Sequence, residues 1–205
     1  MEKYGAQPVF AEALGALSGA QFPGCVGLSV NDTACFGAPS GYLLAEGDVL
    51  KLDVWLRYDG FCARVRYTAF VGRPDDRWLS LAHSAARATL AGIERLRAGQ
   101  PVARATGALR RLLRADGYTL AHPDSGHGLG RFPLEQPLFP YTAEAKLILR
   151  PGMVLFFGPC VTAGAPALSL AEDGFSLRTA DGQPTCAYGH TVGITDGEPL
   201  IFTML

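Results

Sequence analysis

The chain has 205 residues, is 48% hydrophobic and carries a formal net charge of −1. This length suits one sizeable domain, and no long run of one charge supports binding to nucleic acid or to a membrane surface. No apolar run approaches the ~20 residues that a membrane span needs. Residues 1–21 also lack the basic start and apolar core of a signal peptide. We therefore expect a cytoplasmic protein that binds neither nucleic acid nor membrane.

Five cysteines are spread widely along the chain, and no Cys-x-x-Cys pair occurs. This pattern favours neither a zinc knuckle nor a disulfide framework, so we expect reduced and mostly buried thiols. Arginines cluster in one segment, at Arg104, Arg110, Arg111 and Arg114. We interpret that cluster as the solvated face of a helix.

The first clear element in chain order is a β-hairpin. Alternating apolar and polar residues predict strands at Val49–Arg57 and Cys62–Val71. The residues between them, Tyr58-Asp59-Gly60, are typical of a tight turn. Both strands should therefore pair along their length.

Two helices are predicted next. The first runs from about Arg77 to about Arg97, behind two aspartates that can cap its N-terminus. Its apolar stripe at helical spacing consists of Ala82, Ala86, Leu90 and Ile93. The second runs from about Val102 to about Ala115, and Gly117 is expected as its left-handed C-cap. Its stripe consists of Val102, Thr106, Leu109 and Leu113.

The last third of the chain is predicted to return to strands, with turns at Asp181-Gly182 and Asp196-Gly197. The predicted strands are residues 146–149, 153–157, 168–170, 175–178, 185–194 and 200–202. An order of strands, two helices and strands fits an α+β fold in which helices cover one face of a mainly antiparallel sheet.

Six short strings resemble one known family. They are FPGCVGLSVND from Phe22, CFGAPS from Cys35, EGDVLKLDVWLRYDGF from Glu46, SGHGLGR from Ser125, LRPGMVLFFGPCV from Leu149 and TADGQPTCAYGHTVGIT from Thr179. Their order and spacing resemble those of the methionine aminopeptidases, which are M24-type metallopeptidases. The resemblance implies the pita-bread fold, a curved and mainly antiparallel sheet with helices on its outer face.

The sequence departs from the family pattern at the N-terminus. The family usually carries several dozen more residues before the Phe-Pro element, which begins here at Phe22. We expect a short N-terminal segment, residues 1–21, followed by a single pita-bread domain, residues 22–205, that is N-terminally shortened. Surface left uncovered by the absent helices implies a homodimer or a different partner protein.

The resemblance also implies where a metal site would lie. The family holds two divalent metals with two Asp, one His and two Glu, and these align with Asp53, Arg64, His127, Gly158 and Gly189. Only the first Asp and the His are kept. Divalent cations beside a fixed guanidinium are electrostatically disfavoured, so we expect no metal and no other cofactor.

Three further family histidines are replaced as well. One precedes the Phe-Pro element, one lies in a Cys-His-Gly string, and one follows the Gly-His-Gly element. They align with Ala20, Phe36 and Leu134. The sequence therefore predicts that the chain is not a metal-dependent aminopeptidase.

One function that the residues leave open is that of a pseudoenzyme retained for binding. Asp53 and Arg64 would then form a buried salt bridge, or Arg64 would bind an anionic group that Asp53 orients. The ligand would be a small anion, a peptide end or a partner protein. His190, which keeps the family's His-Thr string, and Tyr188 are further candidate ligand-binding residues.

The alternative is a repurposed, metal-independent enzyme. His127 would act as a general base beside Arg64 and Asp53. Cys62, which shares strand parity with Arg64, or Cys160 would pair with His127 as a nucleophile. An intact metallopeptidase fits the residues least well.

Overall fold

The computed structural model describes residues 1–19, 21–121 and 125–204 of the chain. The helices among these residues are α1 (Phe10–Ser18), α2 (Asp76–Ile93) and α3 (Ala103–Ala115), and a short 3-10 turn lies at Glu2–Tyr4. The strands before α3 are β1 (Gln7–Pro8), β2 (Gly27–Val30), β3 (Thr33–Cys35), β4 (Val49–Tyr58) and β5 (Phe61–Phe70). Those after α3 are β6 (Thr119–Leu120), β7 (Ser125–Gly128), β8 (Glu135–Pro140), β9 (Val154–Phe157), β10 (Cys160–Thr162), β11 (Leu168–Leu170), β12 (Leu177–Thr179), β13 (Thr185–Ala187), β14 (His190–Gly193) and β15 (Leu200–Ile201).

The hairpin prediction is confirmed. Strands β4 and β5 pair antiparallel from Val49 opposite Phe70 to Tyr58 opposite Phe61. Asp59 and Gly60 form the connecting turn with φ values of 47° and 76°. Positive φ at both central residues is the type I′ geometry, which matches the twist of the paired strands.

Both predicted helices are present, with shifted ends. The Asp75 carboxylate accepts a hydrogen bond of 2.8 Å from the Arg77 N–H and caps α2. At the end of α3, the N–H groups of Gly117 and Tyr118 donate back to Arg114 and Leu113. That pair of bonds is a Schellman motif, and the φ of 81° at Gly117 suits the glycine predicted there.

The apolar stripe predicted for α2 is confirmed only in part, since Ile93 is buried and Ala82 and Leu90 pack against the core, whereas the stripe of α3 is buried throughout. The buried residues of α2 are Leu81, Ser84, Ala85, Ala88, Thr89, Gly92 and Ile93. Three residues of the expected stripe, Ala82, Ala86 and Leu90, are only partly buried. Small residues on its buried face let α2 pack closely against its neighbours. A Cβ atom on Gly92 would lie 2.7 Å from the Phe157 ring and 3.2 Å from the carbonyl oxygen of Ala105.

Two of the C-terminal strand predictions were wrong. Residues 146–149 form no strand, and only Ile148 makes an isolated bridge, to Pro101. The single strand expected over residues 185–194 is divided into β13 and β14. The division occurs because Gly189 pairs with Arg66 of β5 through two backbone hydrogen bonds of 2.9 and 3.0 Å.

Within the described residues the strands form four small sheets whose ladders are antiparallel, so the α+β prediction is confirmed. Strand β4 pairs with β1, β2 and β5, and a five-stranded sheet has the order β15-β14-β9-β7-β8. The bridge between Arg66 and Gly189 brings the hairpin against β14 of the five-stranded sheet. This junction positions the candidate site.

Two hydrophobic cores flank that junction. Helices α2 and α3 pack over the larger one, which contains Leu81, Leu109 and Phe157. The smaller core contains Phe10 of α1, whose ring centroid lies 4.7 Å from Phe22 and 6.0 Å from Trp55. Residues before Phe22 therefore pack on the hairpin.

No helix in the described part of the chain is long and apolar enough to cross a membrane.

Candidate functional site

Asp53 of β4 and Arg64 of β5 form a bidentate pair at the junction. Arg64 donates from Nε to Asp53 Oδ1 at 2.9 Å and from Nη2 to Oδ2 at 2.7 Å. Each residue is only 4% exposed. The salt bridge predicted between them is therefore confirmed.

A second arginine, which the sequence analysis missed, binds the same carboxylate. Arg66 donates to Asp53 Oδ2 from Nε at 3.2 Å and from Nη2 at 3.0 Å, and from Nη1 to the carbonyl oxygen of Gly158 at 3.2 Å. Arg66 is 3% exposed. Its position two residues after Arg64 on a strand places both side chains on one face, and this parity could have revealed it.

The carboxylate of Asp53 is held entirely by donors. The indole Nε1 of Trp55 donates to Oδ1 at 2.7 Å, in addition to the arginine bonds. Burial alone would raise the pKa of Asp53, but the charges of Arg64 and Arg66 outweigh it and lower the pKa to about 2. Asp53 is thus a stable anion between two cations.

Aromatic rings enclose the guanidinium of Arg64. Its Cζ atom lies 4.1 Å from the ring centroid of Trp55 and 3.9 Å from that of Phe156. The ring of His127 also stacks on both, with centroids 5.2 Å from Trp55 and 5.5 Å from Phe156. Arginine is suited to this environment because its planar cation stacks on aromatic faces while its edge donates hydrogen bonds.

His127 is neutral in this arrangement. Its Nε2 lies 2.9 Å from Nη1 of Arg64 and must accept, because a guanidinium only donates. Its Nδ1 therefore carries the proton and donates to the carbonyl oxygen of Gly128 at 2.9 Å. Burial and the charge of Arg64 lower the pKa of His127 to about 3.

We expect His127 to make stability depend on pH between about pH 6 and about pH 3. Its folded pKa lies below the unfolded value of about 6.5, so the unfolded state binds the extra proton and stability falls as pH falls, by about 1.4 kcal/mol per pH unit. Urea unfolding of the wild type and of His127→Gln, which cannot titrate, measures this dependence. A wild-type slope equal to that of the variant would contradict the neutral, buried histidine.

The positions expected for the two metal-binding glutamates are closed. A Cβ atom on Gly158 would lie 2.5 Å from the Cα atom of Gly189 and 2.5 Å from the Phe156 ring. A Cβ atom on Gly189 would lie 2.7 Å from that ring. The Phe156 side chain therefore occupies the space beside both glycines, and neither position accepts a larger residue without rearrangement.

Neither candidate nucleophile is hydrogen-bonded to His127, since Arg64 and Gly128 engage both of its ring nitrogens. The Cys62 thiol donates to the carbonyl oxygen of Arg131 at 3.5 Å, and burial raises its pKa. The Cys160 thiol donates to the carbonyl oxygen of Ala34 in a separate apolar cluster. All five cysteines are reduced thiols, and every one except Cys25 is buried.

His190 and Tyr188 form a group of their own. Their ring centroids are 4.9 Å apart, and His190 Nδ1 lies 3.0 Å from the hydroxyl of Thr203. The neighbouring Thr191, the threonine of the kept His-Thr string, instead contacts the backbone of Arg64. Its hydroxyl donates to the backbone oxygen of Arg64 and accepts from the Arg64 N–H, both at 2.8 Å.

The sequence pattern of metallopeptidase family M24 matches residues 3–196. The chain belongs to this family. It is 28% identical to the methionine aminopeptidase of Escherichia coli K12 over 186 residues, which are 89% of this chain and 70% of that enzyme. It is 29% identical to the methionine aminopeptidase of Aquifex aeolicus, covering all of this chain and 81% of that enzyme.

Solved structures confirm the pita-bread fold. The methionine aminopeptidase of Rickettsia prowazekii superposes with a TM-score of 0.91 at 26% identity, over 99% of this chain and 81% of that one. The methionine aminopeptidase of Thermotoga maritima gives the same TM-score and identity. The resemblance to methionine aminopeptidases stated from the sequence is therefore confirmed.

The side chains at this M24 site do not fit a dinuclear metal centre. Guanidinium groups bind both oxygens of Asp53, and Arg64 also occupies the accepting nitrogen of His127. The glutamate positions are glycines packed against a phenylalanine. Within the described ranges, no three His, Cys, Asp or Glu side chains are grouped to hold a metal ion. Of the replaced family histidines, Phe36 joins the smaller core, and Ala20 lies outside the described residues.

Proposed function

We propose that this M24 chain is a pseudoenzyme that acts by binding and not by metal-dependent hydrolysis. One observation supports this most strongly, namely the clamping of Asp53 by Arg64 and Arg66. The guanidinium groups of Arg64 and Arg66 bind the Asp53 carboxylate oxygens that would otherwise be available to metal ions. The proposal follows from the charge of this cluster.

The net charge of the Asp53 cluster disfavours metal binding. The cluster holds one carboxylate, two guanidinium groups and a neutral imidazole, so it already carries excess positive charge in a buried place. Further divalent cations would be repelled strongly where the effective dielectric constant is low. Burial of charges is tolerated because each charge is hydrogen-bonded and paired.

The same contacts support binding at the surface in preference to binding inside the site. Arg64 is buried between Trp55 and Phe156 and already donates to Asp53, which weakens the earlier idea that it binds an external anion. We propose a partner protein or peptide as the ligand. A cytoplasmic location stays a prediction. A homodimer also stays a prediction, which light scattering over a range of protein concentrations tests.

The metal-independent alternative has less support. A general base needs a free lone pair and a pKa near the working pH, whereas His127 accepts from Arg64 and has a pKa of about 3. Arg64 would have to leave Asp53 before His127 could take a proton.

An activity assay tests the proposal. The purified chain is incubated with methionyl peptides in the presence of added cobalt or manganese, with an M24 methionine aminopeptidase as a positive control. We expect no release of methionine above the rate of a matched Asp53→Asn variant. Metal-stimulated release that Asp53→Asn abolishes would overturn the proposal.

A further inference from the structure

Charge is distributed unevenly between the helical layer and the rest of the chain. Residues 73–118, which contain α2, α3 and their connection, carry nine arginines, no lysine and four carboxylates. The remaining residues carry nine cationic and fifteen acidic side chains. Three of those nine cations, Lys51, Arg64 and Arg66, are buried. The exposed helical layer is therefore basic, although the whole chain has a net charge of only −1.

Some arginines of this layer are already paired. Arg77 pairs with Asp75, Arg87 with Asp116 and Arg97 with Glu198. The last turns of α3 differ in this respect. In the part of the chain that the structure describes, no carboxylate oxygen lies within 4 Å of the guanidinium nitrogens of Arg110, Arg111 and Arg114.

A cleft accompanies these unpaired arginines. Arg110 and Arg114 lie one helical turn apart and, with Tyr118 and Thr119, line a cleft of about 50 Å³. Tyr118 also borders a wider cleft of about 380 Å³ that contains the ion pair of Arg87 and Asp116. The fold thus brings cations from two helices to either side of one tyrosine, which charge runs in the sequence do not reveal.

We propose that this arginine face, made of Arg110, Arg111 and Arg114, docks an acidic segment of a partner protein. Guanidinium groups match carboxylates in a planar, two-bonded geometry, and the small cleft between Arg110 and Arg114 has room for a single carboxylate group. The inference rests on the proposed binding function and gives it a partner class. It depends on none of the residues at the Asp53 cluster.

The same face is less suited to nucleic acid. The Asp116 carboxylate lies in the wider cleft beside Arg87, where it would repel a continuous phosphate backbone. An acidic peptide, unlike a phosphate backbone, can space its carboxylates so that each one contacts an arginine.

Fluorescence anisotropy at low salt tests the proposal. The probes are a labelled glutamate-rich peptide, the same peptide with glutamine in place of glutamate, and a single-stranded oligonucleotide of equal charge. We expect the wild type to bind the glutamate peptide most tightly, and more weakly as salt increases. The double variant Arg110→Gln and Arg114→Gln should bind it about tenfold more weakly, since two exposed ion pairs are lost.

The matched control is the double variant Arg131→Gln and Arg150→Gln, which removes two exposed arginines elsewhere and changes net charge equally. Its affinity should stay within about twofold of the wild type. Absence of peptide binding, equal losses in both double variants, or tighter binding of the oligonucleotide would each overturn the docking proposal. None of these outcomes bears on metal binding, so the pseudoenzyme proposal fails or stands separately.

Discussion

Replacing Asp53 with asparagine is expected to lower the free energy of unfolding by about 3–5 kcal/mol. The change leaves Arg64 and Arg66 buried without a counter-charge, and it turns an acceptor of the Trp55 indole into an amide. Desolvated cations without a partner are among the costliest defects in a folded protein. Urea unfolding near neutral pH measures the loss.

Asp59→Asn provides the matched control. Asp59 lies in the exposed hairpin turn at a φ of 47°, which asparagine tolerates, so we expect a change within about 0.5 kcal/mol. The stabilisation by Asp53 should also depend on pH. Its folded pKa of about 2 lies below the unfolded value of about 3.9, so the contribution is present above about pH 4 and is lost as pH falls through about 2. Equal effects of the two variants would contradict a buried charge cluster.

Restoring the family's ligands is expected to fail in a specific way. The triple variant Arg64→Asp, Gly158→Glu and Gly189→Glu rebuilds five ligands by sequence. Both glutamates, however, meet the Phe156 ring, and Arg66 still holds Asp53. We expect no stoichiometric metal and a loss of more than about 3 kcal/mol in the free energy of unfolding. Elemental analysis and urea unfolding measure both.

A second variant separates the causes. Adding Phe156→Ala and Arg66→Ser removes the ring and the remaining guanidinium, so metal binding should return. Hydrolysis of methionyl peptides should not return, since Phe36 and Leu134 stand where the family has histidines. Two metal ions bound by the triple variant alone would show that Phe156 and Arg66 do not close the site.

Local sequence patterns predicted the elements whose stabilising contacts lie within one short segment of the chain. The hairpin and α3 follow from residue alternation, a turn sequence and helical spacing within one short segment. The strands of three or four residues, such as β3 and β10, lack such a pattern because their partners lie far along the chain. Residues 146–149 show the reverse error, since they hydrogen-bond to residues 99–102 through a single isolated bridge and do not extend into a strand.

The site was predictable wherever a motif marks it. Asp53, Arg64 and His127 were found because the resemblance gives their positions. Arg66 was missed although its strand parity with Arg64 was visible, because no family ligand stands there. The closure by Phe156 depends on packing between β9 and β14, and no single segment of the sequence encodes that contact.

The metal content of the purified chain distinguishes a metal-free pseudoenzyme from a metallopeptidase. After dialysis against micromolar cobalt, manganese, iron or zinc, elemental analysis should find no stoichiometric metal, since Arg64 and Arg66 occupy Asp53 and the site carries excess positive charge. Two metal ions per chain would contradict the pseudoenzyme account.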